Sequence, residues 1–327
     1  MHNLIRKVQP KPQYVPLVAT ALVFLLLYIT ACIRYEGFAS WFQATSLIAD
    51  NAPLGLAAIG MTFVILSGGI DLSVGAVIAL SSIFLASCLV PPDQGGWGMH
   101  AGVAIPLVLV GGSAFGAGMG AVIRVFKLPA FLVTLAGMFL ARGLALVLTE
   151  QKRISIIGVE SFDPLVNFLF LDLNLPAIVF ILATLLAVAI AKYTQFGRTV
   201  YAIGGNEDSS TLMGLSVGST TVKIYALSGL CASAGGVLHA IGSQSGDASV
   251  GYLLELDAIA AVVIGGTLLT GGYGFVAGTF LGVLILAVIT VVPTYEGNLN
   301  AWWTRIAIGV LLLAFILLQR VAQPRKA

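Results

Sequence analysis

Charge is what this chain has least of. Lysine, arginine, aspartate and glutamate make up 9% of its 327 residues, against about 25% in a typical soluble domain. Hydrophobic residues make up 58%, and the mean hydropathy is +1.02. That balance excludes an ordinary water-soluble protein and places the chain in lipid. Cysteine is nearly absent too. Cys32, Cys88 and Cys231 all sit in apolar stretches, which excludes a disulfide framework and a thiolate metal site. Of the three histidines, His100 and His239 read as interfacial or packed side chains rather than proton relays.

Catalytic motifs are missing as well. There is no G-x-x-x-x-G-K-[ST] loop to cradle nucleotide phosphates and no H-E-x-x-H zinc motif. Gly242–Gly246 (GSQSG), close to His239, misses the G-x-S-x-G register by one residue, so a serine hydrolase is not supported. No enzyme activity, cofactor, metal or nucleic-acid partner is expected. Ile29-Thr30-Ala31-Cys32 mimics a lipoprotein cleavage site. Cleavable apolar regions run to about 15 residues, however, whereas 15–33 is long enough to span.

What is present is a series of apolar segments. A hydrocarbon core of about 30 Å needs about 20 apolar residues, fewer where helices are short or broken. Ten candidates emerge, at 15–33, 51–67, 74–90, 101–123, 130–148, 176–191, 223–243, 257–270, 275–293 and 302–320. The expected fold is therefore one all-α polytopic membrane domain covering 1–327. An even count puts both termini on one side. Arg6, Lys7, Lys11, Arg124, Lys127, Lys192, Arg198, Lys223, Arg320, Arg325 and Lys326 fall there, whereas only Arg34, Lys152 and Arg153 fall in the opposite loops. This positive-inside bias makes the first 14 residues, the loop 192–222 and the tail 321–327 cytoplasmic, in a plasma membrane.

Residues 60–80, GMTFVILSGGIDLSVGAVIAL, break an apolar run with Gly68, Gly69, Asp71, Ser73 and Gly75. Unpaired backbone in hydrocarbon costs roughly several kcal/mol per group, so such a break survives only inside protein or beside a watery cavity. An intramembrane aspartate marks a pathway by default, although Asp71 and Ser73 equally suit the cap of the following helix. Asn51 and Arg142 complete the candidate pathway set, and Arg142 is close enough to its span end to snorkel. Glu255 and Asp257 suit the dipole at the start of the eighth span, or a contact with an outside partner.

Two glycine ladders, Gly112-Gly116-Gly120 and Gly274-Gly278-Gly282, lie five spans apart and allow close helix approach. A duplicated chain built that way would be an inverted five-plus-five repeat. On the basic side, Asn206–Gly214 (NEDSSTLMG) reads as a short helix. Asn206 is its N-cap, Glu207 and Asp208 match its dipole, Leu212 and Met213 form an apolar tip, and Gly214 closes it. A helix this short needs a docking surface.

Five blocks then resemble one family, the sugar-importing ABC permeases of the ribose/xylose/arabinose/galactofuranose group. They are GMTFVILSGGIDLSVG (60–75), LPAFLVTLAGMFLARG (128–143), FGRTVYAIGGNEDSSTLMG (196–214), ELDAIAAVVIGGTLLTGGYG (255–274) and WWTRIAIGVLLLAFILLQR (302–320). Leu-Met-Gly at 212–214 and Trp-Trp-Thr at 302–304 look most like the galactofuranose type. The resemblance implies a type II-like importer fold, with two permease subunits forming one pathway. It also implies an ATP-binding subunit docked inside on Tyr201, Gly204, Gly205, Asn206, Leu212, Met213 and Gly214. A periplasmic sugar-binding protein would dock outside. The alternative is a proton- or sodium-coupled secondary transporter with Asp71 as the coupling carboxylate.

The charge partition makes a direct prediction. A reporter fused after Ala327 or inserted near Ser210 should register cytoplasm, and one near Gly158 the outside. Equal signals at Ser210 and Gly158 would refute the arrangement.

Overall fold

A computed structural model describes residues 15–149, 152–297 and 301–322. The first 14 residues and most of the tail, both expected in the cytoplasm, lie outside the described residues. Helices in chain order are α1 (Val15–Arg34), α2 (Trp41–Asp50), α3 (Ala52–Leu66), α4 (Val74–Leu89), α5 (Ala101–Phe126), α6 (Ala130–Thr149) and the single turn α7 (Asp163–Val166). There follow α8 (Leu175–Tyr193), α9 (Gln195–Gly205), α10 (Glu207–Leu212), α11 (Val217–Ser243), α12 (Leu254–Ile264), α13 (Val276–Glu296) and α14 (Ala301–Ala322). Two minimal strand pairs, β1 (Ile154–Ser155) with β4 (Ser245–Gly246) and β2 (Leu169–Phe170) with β3 (Leu173–Asn174), trim the loops at one end.

Helices occupy all ten predicted places, but the count of ten full spans is not met by length. Among the described residues seven helices are long and apolar enough to cross a membrane, or eight if α2 and α3 form one bent span. Those two meet at 52° across Asn51, and α2 is not among the elements that the apolar runs predict. At 1.5 Å per residue, α4 is about 24 Å long and α12 about 16 Å, short of a core of about 30 Å.

Their placement explains why. The chain leaves α3 at Leu66, climbs as non-helical backbone through 67–73, and starts α4 level with the middle of α11, where Asp71 meets Ser228. Later, 244–253 descends along α4 with no helix of its own. A Cβ on Gly246 would lie 2.7 Å from the Ser82 carbonyl oxygen, and one on Gly251 would collide with that of Gly75. Only then does α12 start, running toward the opposite end from α4. Each crossing is thus half extended and half helical, and the two are broken in opposite halves.

The centre of the bundle is α11, packed against α3, α4 and α5. Both α3 and α4 are apolar on every side and buried on every side, as a helix must be when it faces no water or lipid. The first glycine ladder is the seam between α5 and α11. Gly112 faces Ser233, Gly120 faces Val222, and a Cβ on Gly116 would collide with the Tyr225 carbonyl oxygen. Gly229 answers from the α11 side, where a Cβ would meet the Gly112 oxygen in the same way. The second ladder needs correction. Gly274 precedes α13 with φ +155°, while Gly278 and Gly282 pack on Gly265 and Ala261 of the α12 region. The ladders therefore meet non-equivalent partners and are not themselves a sign of duplication.

Gly116→Ala should lower the melting point of the purified chain, because overpacking costs about 1–3 kcal/mol. At Gly118, on the same helix, a Cβ would meet no atom within 4 Å, so Gly118→Ala should leave the melt unchanged or slightly raised.

Candidate functional site

Apart from Asn51, the sequence candidates separate into three places. Asp71 and Ser73 are together at the first break. The Asp71 carboxylate accepts from the Ser73 N–H at 2.9 Å and the Ser73 hydroxyl at 2.6 Å. Its second oxygen accepts from the Ser228 hydroxyl on α11 at 2.7 Å. Asp71 is 1% exposed, so it fastens the break to the central helix rather than lining an open cavity. Ser73 precedes α4 without a side-chain cap of its own. Tyr225, one turn before Ser228, has a buried hydroxyl without a partner, and a Cβ on Gly69 would come within 2.5 Å of it.

Arg142 does not snorkel. Its guanidinium turns inward and donates to the carbonyls of Ala248 and Val250, at 2.6 and 2.7 Å. These belong to the descending segment 244–253, whose backbone has no helix to satisfy it at that depth. Asn51 stands apart at the α2–α3 bend, its amide donating to the Leu47 carbonyl at 3.0 Å. The four pathway candidates thus do not converge on one site. In GSQSG the Ser243 hydroxyl donates to the His239 carbonyl at 2.8 Å.

The third place is the segment 194–216. Thr194 caps α9 and Asn206 caps α10, each side chain accepting from the N–H three residues on. Gly214 takes φ +79° to end the turn. Leu212 and Met213 are 89% and 68% exposed. Arg124 at the end of α5 pairs with Glu207 at 2.9 Å.

The base of this segment sits on the start of the first break and on the loop that follows α12. A Cβ on Gly204 would collide with both the Leu66 carbonyl oxygen and the Gly272 nitrogen. The Gly272 N–H donates to that same Leu66 oxygen at 2.8 Å. Gly272 (φ +73°) also abuts Gly205, and Gly271 (φ +81°) abuts Gly68. The Tyr201 hydroxyl donates to the Gly274 carbonyl at 2.8 Å. Burial, with Tyr273 adding to it, raises the Tyr201 phenol above its ordinary value, so it remains a donor at neutral pH.

Residues 43–316 match the family described as branched-chain amino acid transport system / permease component. The chain belongs to this permease family. The inner membrane ABC transporter permease protein YjfF of Escherichia coli (strain K12) is 46% identical over 310 residues, covering 93% of this chain and 92% of the relative. The ribose import permease protein RbsC of Bacillus subtilis (strain 168) is 37% identical, covering 91% and 90%. The fructose import permease protein FruG of Bifidobacterium longum (strain NCC 2705) is 34% identical, covering 94% and 91%. No solved structure matches. The resemblance drawn from the five motif blocks is borne out, and the permease core at 43–316 contains all three places described here.

Gly229 and the carbonyl partners of Arg142 escaped sequence reasoning. One signal was available for the second: a lone arginine in an apolar helix needs acceptors, and serine- and glycine-rich 243–251 was the nearest polar stretch.

Asp71→Ala should strand the Ser228 and Ser73 hydroxyls and cost about 1–3 kcal/mol for each group left unpaired. Asp71→Asn keeps one acceptor, and the Ser228 hydroxyl can turn to accept from the new amide. Melting curves of the two purified variants should place Asn well above Ala.

Proposed function

We propose that this permease is the membrane-spanning translocation subunit of an ATP-driven sugar importer. It performs no covalent chemistry itself. A binding protein delivers a monosaccharide on the outside, a second permease subunit completes the pathway, and an ATP-binding subunit docks on α9 and α10 in the cytoplasm. Both termini are cytoplasmic, in the inner membrane. The fructose and ribose names of two relatives support the sugar class. The galactofuranose-type residues Leu212-Met213-Gly214 and Trp302-Trp303-Thr304 put that sugar first to test, and favour a sister permease over a second copy.

One observation carries the reading. The exposed tip Leu212-Met213 is joined through Gly204 and Gly205 to the start of the first break, at Leu66, and to the loop that ends the second broken crossing, at Gly271-Gly272. A push on the tip therefore reaches the two weakest crossings without an intervening flexible loop. Asp71 and Ser73 act at the moving break, and Arg142 steadies the second one.

The ten-crossing topology follows if 67–73 with α4, and 244–253 with α12, each count as one crossing. These are the third and the eighth, five apart and broken in opposite halves, which supports an inverted five-plus-five repeat. Against the secondary-transporter reading, Asp71 is enclosed and its carboxylate is already engaged by two serines.

Met213→Asp tests the assignment without touching a membrane helix. An unpaired charge buried at a partner interface costs several kcal/mol, and about 1.4 kcal/mol is tenfold in affinity. Co-purification of the ATP-binding subunit should fall at least tenfold and sugar uptake should fail, with normal membrane levels. An intact complex with normal uptake would overturn the coupling role.

A further inference from the structure

A cavity of about 530 Å³ opens at the end of the bundle opposite α10, between α12, α13 and the start of α14. Gly297 and Thr290, both exposed, line it from α13. Seven residues of the chain separate them, which is about 10 Å of length at 1.5 Å per residue. Within it the Arg305 guanidinium pairs with the Asp257 carboxylate. The pair is not sealed in: the Asp257 side chain is 23% exposed and that of Arg305 is 48% exposed. Thr294 and Thr304 add hydroxyls to the wall.

The other large clefts offer less. Those of about 380 and 340 Å³ are lined almost wholly by apolar side chains. The polar one of about 600 Å³ lies against Glu207 and Leu212, at the docking end.

Resting on the sugar-importer reading, we infer that Asp257 and Arg305 line an outer vestibule that takes up the sugar by its hydroxyl groups. Ionised side chains within membrane helices are costly, and they mark solute paths when they face a cavity. The chemistry suits an uncharged polyol. A carboxylate only accepts and a guanidinium only donates, so the pair offers both partners that adjacent hydroxyls require. The pair is neutral as a whole, so it neither attracts nor repels a neutral solute. An ionic solute would have to break it. The volume falls in the range of about 300–1,000 Å³ typical of small-molecule sites. A low-affinity contact is what passage demands, since the solute must also leave.

The test uses the complete importer in proteoliposomes, with its binding protein and ATP. The probes are labelled ribose, fructose and galactose, the last equilibrating in water with its furanose ring. Asp257→Asn and Arg305→Gln should lower the maximal uptake rate at least about tenfold, the loss of one charged hydrogen bond. They should also change the ratio of rates among the three sugars, while assembly holds. The exchange D257R/R305D should keep the importer assembled without restoring that ratio. Wild-type rates and ratios in both single variants would overturn the vestibule alone, as would full rescue by the exchange, which marks a structural ion pair. A wild-type importer that moves none of the three would overturn the sugar reading and the vestibule with it. Thr294→Cys supplies an independent check, since an impermeant maleimide should label it from outside. A site closed to that reagent refutes the proposal even where the charge variants fail to assemble.

Discussion

Everything in this bundle depends on pairing the backbone groups that the two broken crossings leave open. Hydrocarbon offers no hydrogen bond, so each such group must find protein. At the first break the Leu72 N–H reaches the Thr134 hydroxyl at 3.1 Å, and the Asp71 carboxylate takes the Ser73 N–H. At the second, the guanidinium of Arg142 takes two carbonyls. Gly272, in the loop after α12, donates to the Leu66 carbonyl where the first break starts. These bonds use hydroxyls, one carboxylate and one guanidinium.

Glycine is the other half of that solution. The close approaches of Gly116 to α11 and Gly204 to Leu66 leave no room for any side chain. Small residues let membrane helices associate through direct backbone contact where no hydrophobic force drives them together. In the 194–216 segment the same device leaves no side chain between α9, the Leu66 carbonyl and the Gly272 backbone.

The sequence was legible where local chemistry decides the outcome. Asn206, Glu207 and Gly214 announce a capped turn, and α10 forms with the expected bonds. Gly68-Gly69 announce a break, and Gly68 takes φ +84° there, a conformation with few other uses in an apolar context. The lengths of α4 and α12 were not legible. An apolar run of 14 or 17 residues looks alike whether it spans or stops at mid-depth, and only the partner beside it tells. The α2–α3 bend was hidden for the same reason, since Trp41–Asp50 is too mixed in polarity to read as membrane helix. Arg142 was placed correctly but turned the wrong way, because a snorkelling arginine and one that serves a buried loop share the same position on a helix.

The meeting of Gly75 with Gly251 bears on how this chain enters the bilayer during synthesis. With 11 residues, α12 is too short to be recognised as a span in its own right. The segment 244–253 carries Asp247, Ser245 and Ser249, which suit it poorly to lipid. Its niche along α4, with Arg142 in place to receive its carbonyls, exists only once α4, α6 and the central α11 have come together. The second broken crossing therefore settles against helices already translated, and the order of translation becomes part of the folding code.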